Sequence, residues 1–173
     1  MFEKIKGLKA GGVVAEQFSS ATMNIVNYLI NKGVELKTDD TLLICFNFYN
    51  YCMILTLENH KILSKTALGG RAEKKAIKFF GGLGYQSKTL LKEWLQNATG
   101  VYEIDPFIEN LDKASIDFEM DVREKNSLGK NASIKSYYPN AILESLCNHF
   151  GNNSKEFKNS IGKQLESIRI AIG

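Results

Sequence analysis

A chain of 173 residues, 44% hydrophobic and 24% charged, has enough apolar material for one self-supporting core and too much for a disordered tail. Its net charge of +3 lacks the strong bias of a dedicated nucleic-acid binder, and a total of two prolines disfavours a turn-rich all-β design. Charge is nevertheless polarised along the sequence. Residues 61–92 hold Lys61, Lys65, Arg71, Lys74, Lys75, Lys78, Lys88 and Lys92 against one acid, Glu73. Residues 103–124 hold Glu103, Asp105, Glu109, Asp112, Asp117, Glu119, Asp121 and Glu124 against Lys113 and Arg123. Either the two blocks face each other in the fold, or they are surfaces of opposite sign for two different partners.

Met1 to Ala10 carries three lysines and no apolar run of signal-peptide length, so residues 1–12 read as a flexible lead-in closed by Gly11 and Gly12. Val14 to Lys32 is the first predicted helix. Phe18, Met23, Ile25, Val26, Leu29 and Ile30 form its apolar stripe, and Gly33 is its stop. Thr38 offers an N-cap, followed by Asp39 and Asp40 at the positive end of a helix over about 39–57. That helix is apolar nearly all round, as a central core helix is. Its apolar stretch, Leu42 to Leu57, falls short of the ~20 residues a membrane span needs. Ile44, Phe46, Phe48, Tyr49, Tyr51 and Ile54 are also good strand formers, so a hairpin across 51–67 is the rival assignment.

Gly69-Gly70 marks a break, Arg71 to Phe80 has helical spacing, and Gly81-Gly82-Leu83-Gly84 marks a second break. Ser87 then caps a short helix to Asn97, with Leu90, Leu91, Trp94 and Leu95 on its apolar side and Gly100 beyond it. Asp105-Pro106 opens the next helix with an acid and an early proline. Phe107, Ile108, Leu111, Ala114, Phe118 and Val122 follow helical spacing. Glu119–Arg123 and Asp121–Lys125 add pairs four residues apart. Ile116 to Arg123 also alternates apolar and polar, which leaves a hairpin around 115–138 as the rival. Residues 125–136 read as a polar loop. Pro139 opens a helix to Phe150, and Ser154 opens a last one carrying Phe157, Ile161, Leu165, Ile168 and Ile172. The expected fold is an all-α, single-domain bundle of six to seven helices over 1–173, with α+β as the alternative.

The chemistry-bearing residues are sparse. No HExxH, ExxH or His-rich cluster accompanies His60 or His149, so both read as structural. Cys45, Cys52 and Cys147 are odd in number and widely spaced, which reads as reduced, buried thiols in a cytoplasmic protein. Gly82-Leu-Gly-Tyr-Gln-Ser-Lys-Thr89 is a near miss to a phosphate-binding loop: Ser87 stands where the last glycine must let the backbone wrap the phosphates. The aromatic run Phe46, Phe48, Tyr49, Tyr51 reads first as core and second as the wall of an apolar-ligand pocket.

Two surfaces remain. Gly84-Tyr-Gln-Ser-Lys-Thr-Leu-Leu-Lys-Glu-Trp-Leu95 resembles the helix-turn-helix stretch of some insertion-sequence transposases, where G-Y-x-S-[KR] precedes L-x-x-W. The resemblance covers about a dozen residues and implies DNA binding by 71–95. Lys88 and Lys92 would then point toward the duplex, with Lys74, Lys75 and Lys78 meeting phosphates. The acidic block instead predicts a helix face with Glu109, Asp112, Glu119 and Asp121, suited to a partner with a basic surface. By elimination the chain reads as a small cytoplasmic non-enzymatic protein without cofactor or metal. It would bind another macromolecule through that acidic face, as inhibitor or immunity-type proteins do. A helix-turn-helix DNA binder is the alternative, and a small apolar-ligand binder the second alternative.

Overall fold

The computed structural model describes residues 2–60, 71–100 and 103–173, with no strand among them. Six α-helices follow in order: α1 (Phe2–Asn31), α2 (Thr38–Asn59), α3 (Arg71–Ala98), α4 (Asp105–Lys125), α5 (Tyr138–Phe150) and α6 (Lys155–Ile172). A 3-10 turn, Lys135–Tyr137, leads into α5. The all-α bundle is therefore the architecture. Neither hairpin forms in the described residues: 51–59 is helical, 115–125 is helical, and 126–134 is loop. The distal half of the first hairpin, 61–67, lies outside them.

Most helix ends follow the local chemistry of the sequence. Gly33 and Gly151 take left-handed backbone (φ +82° and +58°) just past α1 and at the end of α5, where a side chain would be strained. Pro106 and Pro139 lie in first turns, where the missing N–H costs nothing. The Ser154 hydroxyl accepts the Phe157 N–H (3.2 Å) and caps α6. At α2 the cap is Lys37 rather than Thr38, and the Asp40 carboxylate reaches back to accept the Lys37 N–H (2.8 Å).

Two expected breaks are absent. Residues 2–12, expected as a flexible lead-in, form the first turns of α1, and α3 runs unbroken through Gly81, Gly82, Gly84 and Ser87. Gly7, Gly11 and Gly82 are contact residues instead. A Cβ on Gly7 would sit on the Phe79 carbonyl oxygen and 2.9 Å from the Leu83 nitrogen. One on Gly11 would lie 2.8 Å from the Gln86 Cβ, and one on Gly82 would strike the Lys4 carbonyl oxygen. Bare backbone on both helices lets α1 and α3 approach more closely than side chains allow. The two run parallel: Gly7 meets Phe79 and Leu83, Gly11 meets Gln86 and Ser87, and Phe18 packs edge-on against Trp94 (6.4 Å). Each glycine disfavours an isolated helix by about 1 kcal/mol relative to alanine, and the tertiary contact offsets it.

α2 is the central helix. Ile44, Cys45, Phe48, Tyr49, Tyr51, Cys52, Ile54 and Leu55 are all buried, on every side of it. Its 22 residues and mean hydropathy of 1.2 also suffice, by length and composition alone, for a membrane-crossing helix; 67% of that stretch is buried inside the bundle. α6 lies beside both α1 and α2. Lys32–Glu156 (2.8 Å) and Asn24–Gln164 (2.9 Å) set it antiparallel to α1, and the Asn59 amide donates to the Ile172 carbonyl (2.8 Å) at its end. α5 completes the layer, with His149 against Asp40 (2.7 Å) at the start of α2.

Candidate functional site

The acidic block folds as α4, and α4 is the least embedded helix of the bundle. Only Leu111 and Val122 of its 21 residues are buried. Half-buried Phe118 adds an edge-on contact to Phe46 (6.2 Å) and another to Tyr138 (5.2 Å). At about 100° per residue, Leu111, Ser115, Phe118 and Val122 share the inward face. Glu109, Ile116 and Met120 cluster on the opposite face, flanked by Asp112, Lys113 and Glu124. Ile116 is 56% exposed and Met120 61% exposed. Two adjacent apolar side chains thus stand in solvent inside a mostly acidic border.

The four acids singled out from the sequence do not form one face. Glu109 and Asp112 lie on the outer half of α4. Glu119 sits to one side and is half-buried; Asp121 sits to the other. Their partners differ as well. Asp112 takes the Lys88 ammonium (2.5 Å), Glu119 pairs with Arg123 (3.2 Å) and Asp121 with Lys125 (3.2 Å). Among the described residues Glu109, Asp117 and Glu124 have no ion pair.

Glu119 belongs to a structural knot. The Arg123 guanidinium, 13% exposed, donates to the Gly129 and Ala132 carbonyls (2.8 and 2.7 Å) while Glu119 holds it from one turn below. Glu58 of α2 grips the same loop from the other side, accepting from Ser133 Oγ (2.6 Å) and the Ile134 N–H (2.8 Å). The polar loop is therefore pinned at both ends by buried or half-buried charge. Removing either charge would leave carbonyl or amide groups without partners.

The basic and acidic blocks do meet, but only in part. Lys88 pairs with Asp112 and Lys92 with Asp105 (3.0 Å), in antiparallel order along α3 and α4. Both lysines are thus engaged within the chain. Lys74, Lys75 and Lys78, on the first half of α3, are exposed and have no ion pair among the described residues. The helix-turn-helix reading fails at its turn: residues 84–86 continue α3, so 71–83 and 87–95 are one rod with no angle between them. Ser87 is fully buried in mid-helix, where its hydroxyl donates to the Gly84 carbonyl (3.3 Å), and burial pushes the Tyr49 phenol up to about 12. Ser87 neither caps a helix nor closes a phosphate loop.

The aromatic run is core. Phe48, Tyr49 and Tyr51 are buried, and Tyr49 packs edge-on to Phe18 (5.8 Å). Among the described residues three surface grooves lie elsewhere, and none of these takes its lining from residues 46–51. One of about 510 Å³ runs between α4 and α5, one of about 410 Å³ between α1 and α3, and one of about 650 Å³ beside Tyr28 and α6. No group of His, Cys, Asp and Glu able to hold a metal ion occurs among the described residues. All three thiols are free and buried; burial pushes Cys45 up to about 12 and raises Cys52 strongly.

Ile116 and Met120 were missed from the sequence, although the signal was there. Both lie off the stripe of Phe107, Leu111, Phe118 and Val122, and apolar residues off the buried stripe are the exposed ones. Set against family models, curated proteins and solved structures, the chain matches none of the three.

Proposed function

We propose that this chain is a small, cytoplasmic, non-enzymatic protein that captures another protein through the outer face of α4, as inhibitor and immunity-type proteins capture theirs. One observation carries the reading: exposed Ile116 and Met120 sit together within an acidic border on a helix that buries only two of its residues. An apolar centre with a charged rim is the anatomy of a protein-binding patch. The carboxylates select a partner with a basic rim and speed its approach, while the apolar pair supplies contact area. The recognition residues are then Glu109, Asp112, Ile116, Asp117 and Met120. Glu119 and Asp121 serve the fold and the flank of the helix rather than the centre of the patch.

A photo-crosslinking residue placed at position 120 in the native cell tests this. The expected result is one dominant protein adduct that disappears when Glu109 and Asp117 are both changed to lysine, with helicity and melting temperature unchanged. An adduct pattern indifferent to that double change would remove the reading.

A further inference from the structure

α3 carries an outer face that matches that of α4 in pattern and opposes it in charge. Lys74, Ile77, Lys78, Gly81 and Tyr85 follow one another at helical spacing along the first half of α3. Ile77 is 62% exposed and Tyr85 66% exposed, and Lys74 and Lys78 are exposed beside them. A Cβ on Gly81 would meet nothing within 4 Å, so the stripe is open between its two large side chains. Further along the same face Lys88 and Lys92 already hold Asp112 and Asp105 of α4. The pairing that this stripe makes with α4 inside the chain stops there. Beyond it, α3 leaves lysines and α4 leaves carboxylates without ion-pair partners among the described residues.

We infer that a second copy of this chain is the partner of the α4 face, with α4 of one copy lying along Lys74, Ile77, Lys78 and Tyr85 of α3 in the other. The inference rests on the outer face of α4 being a protein-binding patch, as read above, and puts a second copy of the chain, rather than a different protein, on it. Because each copy presents both faces, a two-fold arrangement satisfies both at once and closes the assembly. Ile116 and Met120 would enter the open stretch between Ile77 and Tyr85, and Glu109 and Asp117 would meet Lys74 and Lys78. A contact with this much charge at its rim weakens with salt.

The test is a charge exchange, read by sedimentation velocity on the whole chain. One variant carries Lys74→Glu with Lys78→Glu, so both of its faces are acidic. The other carries Glu109→Lys with Asp117→Lys, so both are basic. Wild type is expected to dimerise, at least about tenfold more weakly when salt rises from 0.05 to 0.5 M. Each variant alone is expected to be monomeric where wild type is dimeric, and an equimolar mixture is expected to regain the dimer. A wild-type chain that stays monomeric to about 1 mM, or a dimer that neither variant weakens, or a mixture that stays monomeric, overturns the inference. The crosslink at position 120 separates the two claims. A charge-sensitive adduct to a different protein, with a monomeric chain, sinks this inference and leaves the α4 reading standing. A chain with native charges that gives neither an adduct at position 120 nor a dimer sinks both.

Discussion

At the scale of single residues, the glycines decide the most and are the hardest to read in advance. Gly11 and Gly12 are neighbours on α1 with opposite surroundings: a Cβ on Gly11 would press on Gln86 and the Leu83 carbonyl, whereas one on Gly12 meets nothing within 4 Å. Gly11→Ala is therefore expected to cost about 2–3 kcal/mol, and Gly12→Ala to stabilise by about 0.5–1 kcal/mol, both measured by urea unfolding. Equal effects at the two positions would contradict the close α1–α3 contact. Asp40 offers a second test. The Lys37 N–H and then His149 hold its carboxyl below the usual 3.8. A depressed folded pKa means stability that is present above the ordinary carboxylate value and lost as pH falls through the folded one. Asp40→Asn is thus expected to cost about 1 kcal/mol at pH 7. The gap to wild type should hold down to about pH 4 and close below it. Asn47 goes the other way. It is fully buried, and its Oδ1 has no hydrogen-bond partner among the described residues, so Asn47→Leu is expected to match or exceed wild-type stability on chemical unfolding.

At the scale of elements, α4 and the loop after it depend on Arg123. Its guanidinium satisfies two loop carbonyls at once, and Arg123→Met would leave both without that donor. The expected loss is about 2–3 kcal/mol, with faster hydrogen exchange over 126–134 and little change in α1. Most element ends were legible in the sequence because they rest on local chemistry: Pro106, Pro139, Ser154, Gly33 and Gly151 each act within one turn of their own position. Gly11 and Gly82 were misread as breaks because the same residue type serves as a breaker and as a close-contact surface. Which role it plays is settled by a helix some 75 residues away in the chain. The acidic face was legible only as composition. Charge counts located it on 103–124, but the angle around α4 divides Glu109 and Asp112 from Glu119 and Asp121. It also puts Ile116 and Met120 where the carboxylates alone had been expected.

At the scale of the whole molecule, the bundle holds its three thiols inside and leaves Ile116 and Met120 outside. Cys45, Cys52 and Cys147 are buried, with burial raising each thiol, so their modification by a thiol reagent should follow global unfolding rather than precede it. Rapid labelling of native protein would show that the core around α2 opens independently. The polarised charge of the sequence is resolved in part: two ion pairs join α3 to α4 at one end, and Lys74, Lys75 and Lys78 of α3 and Glu109, Asp117 and Glu124 of α4 are exposed on separate helices. On the function proposed above, α4 is the helix that a partner covers. Hydrogen exchange on the free and partner-bound chain measures this directly. Slowed exchange of the amides over 109–124 on binding, with α6 unchanged, is the predicted result; protection gathered on another helix while α4 exchanges as before would contradict it.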